Sequence, residues 1–190
     1  GYSDGYGVYA DSASAVALTG VTITGNDAYP VVVGVDSLVD IDGDTSTYSG
    51  NGQDYLYVRS GTASTSGTWP AADVPIYLSG GVYIRDYPAS SGPLIEVDGA
   101  EIQLDSYLTV GGSSLYSGDL VATNTTFTRH GTGTWTCLTL SSSTTSATAI
   151  TDSLIEHGGT CGSAGSRYMV SLGGAGEFNG NAVENAFEYG

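Results

Sequence analysis

FTRHG (127–131) returns as LIEHG (154–158) and again as AFEYG (186–190). TCLTL (136–140) returns as YMVSL (168–172), at the same spacing as the second of those returns, and TGN (24–26) returns as SGN (49–51). Each motif is a short strand with a polar corner, too small to enclose a core alone. A β-rich unit of this length needs neighbours, and stacking copies bury its inward side chains. The period drifts because corners tolerate insertions and strands do not. An immunoglobulin-like sandwich also alternates, but it would not yield matched motifs at drifting periods.

Outward from these motifs the chain is a succession of short β-rich runs. Strands are predicted over 16–24, 30–35, 38–42, 55–58, 74–78, 82–85, 94–104, 107–110, 120–127, 135–140, 150–155 and 168–172. Many alternate strictly, as in Val21 and Ile23, Leu138 and Leu140, or Val170 and Leu172. Such alternation gives each strand one face for a core and one for solvent. Gly, Asn, Asp and Ser separate the runs, as sharp corners with positive φ require. No window of helical length carries a helical period. Stacked at about 4.8 Å, roughly seven coils make a rod of about 35 Å.

The span 67–159 carries GTWPAADVPIYLSGG (67–81), PLIEVDGAEIQL (93–104), LVATNTTFTRHGTGTW (120–135) and LIEHGG (154–159). In that order these segments resemble the secreted right-handed parallel β-helix proteins of bacteria and archaea. The chain departs from their pattern at Asp98-Gly99, where Pro-Gly often stands. The resemblance implies an all-β fold, a right-handed parallel β-helix (β-solenoid) of roughly seven coils, and an extracellular or cell-surface location. It implies no single function, because the same coils serve lyases, tailspikes, adhesins and surface-layer proteins.

Composition narrows the classes. The chain has 190 residues, 40% hydrophobic and 13% charged, with 29 Gly and 14 Tyr. There is no Lys; Arg59, Arg85, Arg129 and Arg167 face 20 acidic residues, for a formal charge of −16. Such a surface repels phosphate, which disfavours nucleic acid and anionic lipid as partners. No apolar run reaches the length of a membrane-spanning helix, so no membrane insertion is expected. Cys137 and Cys161 read either as two buried thiols or as a disulfide between neighbouring coils, whose loop closure would contribute about 3 kcal/mol.

Candidate chemistry is sparse. Asp40, Asp42 and Asp44 in DIDGD could hold Ca²⁺ with backbone carbonyls and water, or form a solvated acidic turn. The order is not that of an EF-hand, since Thr45 and Asn51 stand where Gly and Glu belong. No other cofactor is implied. His130 and His157 occupy corresponding corners and read as an acid–base pair or as a repeated corner residue. Asn124-Thr125-Thr126 is a glycosylation sequon. Without Lys and with its Arg scattered, the chain lacks the cationic base of polysaccharide lyases, and it is not expected to be an enzyme.

The ends carry a further expectation. NAVENAFEYG (181–190) reads as though it continued into GYSDGYGVYADSASAVALTGVTITGN (1–26). Residues 1–190 thus form a single parallel β-helix domain, or one repeat or subunit of a longer solenoid. Bare strand edges at a coil end invite another strand. A head-to-tail contact that does not close makes a fibre. The expected function is a structural subunit of an extracellular filament, surface layer or adhesin, with itself as partner. Tyr6, Val8, Tyr9, Phe187 and Tyr189 are the expected interface. The alternative is a secreted β-helix protein that binds or cleaves carbohydrate, with glycans as partners. A groove lined by aromatic and acidic side chains on three or more coils would mark it.

Overall fold

The structure, a computed structural model, describes residues 5–10, 15–88, 92–159, 161 and 168–186. Every ladder between named strands is parallel, and the strands gather into three faces. The long face stacks eight: Val8–Tyr9, Val31–Gly34, Leu56–Arg59, Ile76–Leu78, Glu101–Leu104, Thr126–Arg129, Leu154–Glu156 and Ala182–Glu184. The second face stacks Gly61–Ala63, Val82–Ile84, Leu108–Val110, Leu138–Leu140 and Val170–Leu172. The third stacks Gly67–Thr68, Leu94–Asp98, Asp119–Thr123, Ala149–Thr151 and Glu177–Asn179. The chain visits long, second and third face in turn, and the fold is a right-handed parallel β-solenoid. Five coils from Leu56 onward are three-sided. Two earlier coils have a regular strand only on the long face.

Register follows from the core. On the long face Val8, Val31, Leu56, Ile76, Ile102, Phe127, Ile155 and Val183 form one inward column. From Val31 to Ile155 these residues are at most 1% exposed. Fully burying one such side chain stabilises by roughly 1.5–3 kcal/mol, and a one-residue slip would turn the whole column outward.

This rule corrects the repeat alignment. Matching FTRHG to LIEHG sets Phe127 against Leu154, and matching LIEHG to AFEYG sets Ile155 against Phe187. In the structure Phe127 pairs with Ile155 and Ile155 with Val183, so both expected matches are out of register. The match of TCLTL to YMVSL holds, since 138–140 pair with 170–172. So does that of TGN to SGN, since Asn26 bonds to Asn51.

Three expected strands prove to be two each. The runs 94–104, 120–127 and 150–155 are each broken by a two-residue corner between the third and long faces. Its first residue is in the left-handed region: Gly99 (φ 72°), Asn124 (49°), Asp152 (51°) and, one coil on, Gly180 (67°). Gly, Asn and Asp are the residues that tolerate this conformation. The second corner residue points inward, and Ala100, Thr125 and Ser153 are buried there. The inward parity therefore shifts by one residue at each corner, from Ile95 and Val97 to Ala100 and Ile102, from Leu120 and Ala122 to Thr125 and Phe127, and from Ile150 to Ser153 and Ile155. The inward polar groups are satisfied along the stack: Thr125 N donates to Ser153 Oγ (3.1 Å), and Ser153 N to Asn181 Oδ1 (2.9 Å).

The first coils also differ from expectation. Residues Val35–Asp40 form a 3₁₀ helix that buries Leu38, where the strand 38–42 was expected. In place of a strand over 16–24, Leu18 and Thr22 make single bridges to Ile41 and Thr47. An asparagine step holds this corner: Asn26 Nδ2 donates to Asn51 Oδ1 (2.8 Å), and Asn51 Nδ2 to Tyr48 O (2.6 Å). Among the described residues no helix is long and apolar enough to cross a membrane.

Candidate functional site

The inward columns end at both tips of the rod. At the C-terminal tip Val183 follows Ile155, Leu172 follows Leu140, and Phe178 follows Ile150. The long and third faces thus end in one apolar side chain each, and the second face in two, since Val170 also follows Leu138. Leu172 is 56% and Val183 48% exposed, while their counterparts one coil back are at most 4% exposed. At the N-terminal tip Val8, Val16, Leu18, Val21 and Ile23 pack on the core but remain only partly buried. Among the described residues, Ala182–Glu184 pairs on one edge only, with Leu154–Glu156, and Val8–Tyr9 only with Val31–Gly34. No described strand pairs with their other edges, and an open strand edge is what a further strand adds to.

Of the residues expected at the interface, Val8 stands in an inward column at the tip. Tyr6 and Tyr9 do not; their rings stack outside the long face. Phe187 and Tyr189 lie outside the described residues. Sequence reasoning missed Leu172, Phe178 and Val183. The correct register would have found them, since each repeats a core position one coil on.

Tyr6 and Tyr9 begin an aromatic row along the long face. Tyr6 stacks on Tyr9 and Tyr29 (both 5.8 Å between centroids), and Tyr29 meets Tyr57 at 4.6 Å. Tyr57 meets Tyr77 edge-on at 5.3 Å, and Tyr77 stacks on His130 at 3.9 Å. Tyr55 touches Tyr29, Tyr77 and His130 from the side. Pairs of this kind contribute about 0.5–1.5 kcal/mol each beyond their buried area. The row's far end is polar: Tyr77 Oη donates to Asp105, and His130 Nδ1 donates to Gln103 Oε1 (2.9 Å). Burial, then the Asp105 hydrogen bond, pushes the Tyr77 hydroxyl well above the ordinary phenol range. Burial and neighbouring phenols raise Tyr29 in the same direction, and burial and Asp105 raise Tyr55. Arg59 closes the other end, with its guanidinium 4.6 Å from the Tyr9 ring centroid.

The other candidates resolve into local structure. Asp42 is spent on its own turn, accepting from Asp44 N (3.0 Å), Thr45 N (3.2 Å), Thr45 Oγ1 and Ser46 Oγ (3.2 Å). The Thr45 hydroxyl, ahead of the backbone amides, holds its carboxyl below the usual range. Asp40, Asp42 and Asp44 form no metal-holding group, and none of three or more His, Cys, Asp or Glu occurs among the described residues. His130 and His157 are not equivalent, because the register that sets Phe127 on Ile155 brings Arg129, not His130, to the place of His157. His157 sits 3.3 Å from Glu156 instead. Asn124 is exposed at its corner, where Nδ2 donates to Asp98 Oδ1 (3.1 Å). Cys137 and Cys161 form a disulfide, with Cα atoms 5.4 Å apart.

A shallow groove crosses the third face, lined by Asp42, Asp44, Trp69, Pro70, Ala71 and Asp98. It is acidic, but its one aromatic ring, Trp69, is fully buried and offers no face to a ligand. Buried Asp119 accepts from Thr145 N (2.7 Å), Thr145 Oγ1 (2.8 Å) and Thr148 Oγ1 (2.7 Å), so it too is structural.

Comparison with protein-family models, curated proteins and solved structures finds no match.

Proposed function

We propose that the chain is a structural segment of an extracellular or cell-surface filament, surface layer or adhesin, assembling head to tail by stacking coil on coil. The observation that carries this is the C-terminal tip, where Leu172 and Val183 continue core columns yet stand exposed, and Val170 and Phe178 are only partly buried. The N-terminal tip of a second copy offers a parallel strand of the same polarity on the long face, Val8–Tyr9, beside the partly buried Val16, Leu18, Val21 and Ile23, so the contact repeats without closing. Covering the tip removes apolar surface from water at about 25 cal/mol per Å² and pairs the bare strand edges. The disulfide supports an oxidising, extracellular setting. On this reading the protein is not an enzyme; Asp42 and Asp119 serve local hydrogen bonds, His130 packs in the aromatic row and His157 sits beside Glu156.

The carbohydrate reading is less well supported. A sugar stacks on a free aromatic face, and in the row on the long face the rings turn their faces or edges to one another. Sedimentation velocity and electron microscopy of the purified chain test the proposal. Concentration-dependent growth into rods whose length is a multiple of one subunit is expected. A monodisperse single rod at all concentrations would refute it.

A further inference from the structure

We infer that the aromatic row on the long face is a sink for one-electron oxidants, in which Tyr77 receives the oxidising equivalent and Asp105 takes its proton. This role needs no second copy of the chain. Tyr29, Tyr55 and Tyr57 are half-buried, whereas Tyr77 is 7% exposed. Tyr29 lies 4.6 Å from Tyr57 and 5.4 Å from Tyr55, and those two lie 5.3 and 5.4 Å from Tyr77, centroid to centroid. Each half-buried ring is thus one or two ring contacts from the buried one, and an electron crosses such contacts without a further mediator.

Two features make Tyr77 the end of the path. Its hydroxyl donates to Asp105, and among the described residues no other ring of the row donates to a carboxylate. Tyr55 donates to the neutral Gln53 Oε1 (2.8 Å) instead. A phenol that loses an electron becomes strongly acidic, and a negative charge beside it favours loss of both the electron and the proton. Asp105 is exposed and so exchanges protons with water, while its backbone N–H donates to Leu78 O (3.3 Å) and keeps it beside Tyr77. The second feature is enclosure. His130 stacks on the Tyr77 ring at 3.9 Å and is itself held by Gln103, so an unpaired electron on Tyr77 is kept from a second radical.

A peroxyl radical is an oxidant of the right class. It takes a hydrogen atom from the hydroxyl of a half-buried ring and leaves as a hydroperoxide. The phenoxyl radical left behind takes an electron from Tyr77 and a proton from water, and is a phenol again. Tyr77 gives its proton to Asp105, which returns one to water. In sum one O–H bond forms in the hydroperoxide, one breaks in Tyr77, and the unpaired electron rests on Tyr77.

The test exposes the purified chain to peroxyl radicals from a water-soluble azo initiator in air, with electron paramagnetic resonance after freeze-quenching as the readout. Circular dichroism confirms that each variant folds. The wild type is expected to give a long-lived tyrosyl signal coupled to a proton that exchanges in heavy water. Tyr77→Phe is expected to lose that signal, and Tyr168→Phe, at a 43% exposed ring outside the row, to keep it. Asp105→Asn is expected to shorten its lifetime about tenfold, because the charged acceptor is gone. Changing Tyr29, Tyr55 and Tyr57 together to Phe keeps the rings and removes the oxidisable hydroxyls; most of the signal should vanish although Tyr77 remains. A wild-type signal in Tyr77→Phe would overturn the sink, as would a wild-type chain that gives only short-lived radicals coupling into dityrosine. An undiminished signal in the triple variant would overturn delivery along the row. Should the triple variant not fold, Asp105→Asn decides: an unchanged lifetime there removes the proton acceptor and the inference with it.

Discussion

The long face has two halves that share an interior and differ outside. Its inward column is apolar from Val8 to Val183. Its central outward column begins Tyr9, Val32, Tyr57, Tyr77 and continues Gln103, Thr128, Glu156, Glu184. Val32 is only 3% exposed although it points away from the core. In the N-terminal half, then, the coils are held from both sides, by the core and by an aromatic row. In the C-terminal half the outside is hydrated, and the Cys137–Cys161 disulfide supplies a covalent tie where the row has ended. The inside of a solenoid has no choice, since every coil must bury its column. The outside is free to vary, so its contrast is where stability and assembly are tuned.

The contrast can be broken most strongly from within. Phe127→Ala is expected to cost about 3–5 kcal/mol in chemical denaturation, against within about 0.5 kcal/mol for its outward neighbour Thr128→Ala. Equal effects would mean that the register is wrong. Replacing Cys137 and Cys161 by Ala is expected to cost about 3 kcal/mol from the closed loop. Native-state hydrogen exchange should then quicken in coils beyond Glu101 and stay unchanged in those before it.

Tyr77→Phe is the finest test, costing about 1 kcal/mol at neutral pH for the hydrogen bond to Asp105. Because Tyr77 is raised in the folded state, the fold holds its proton more tightly than the unfolded chain does. Its stabilising effect is complete below the ordinary phenol value of about 10 and is lost as pH rises above it. Urea midpoints followed across that range should fall for the wild type and fall less for Tyr77→Phe. Parallel curves would place Tyr77 outside the buried row.

The parallel solenoid was legible because alternation and recurrence survive without coordinates. Phe127, Ile155 and their neighbours announce strands, and their return announces stacking. The corners at 99–100, 124–125 and 152–153 were not legible as breaks, although Gly99, Asn124 and Asp152 are the residue types such corners need. Each shifts the inward parity by only one residue, as from Val97 to Ala100, and apolar residues on both sides of the slip blur it into one long run. Tyr6, Val8 and Tyr9 were expected at the interface because they lie near one end of the sequence. Only the register shows that Tyr9 falls on the outward parity, next to inward Val8. Asp42 looked like a ligand because carboxylates three in a row suit a cation; its oxygens were already claimed by Thr45, Ser46 and nearby amides.

What the amino-acid order determined alone was the local grammar: period-two strands, small or polar corners, a repeat too short to stand by itself, and a strongly acidic surface. These follow from covalent geometry and from charge, which need no partner to be defined. The tertiary structure decided which residue stacks on which. That step showed Leu172, Phe178 and Val183 to be the continuation of core columns rather than ordinary strand residues, and gathered distant tyrosines into one row. The reason is physical: burial belongs to a column of coils, and a column exists only once the register between them is set.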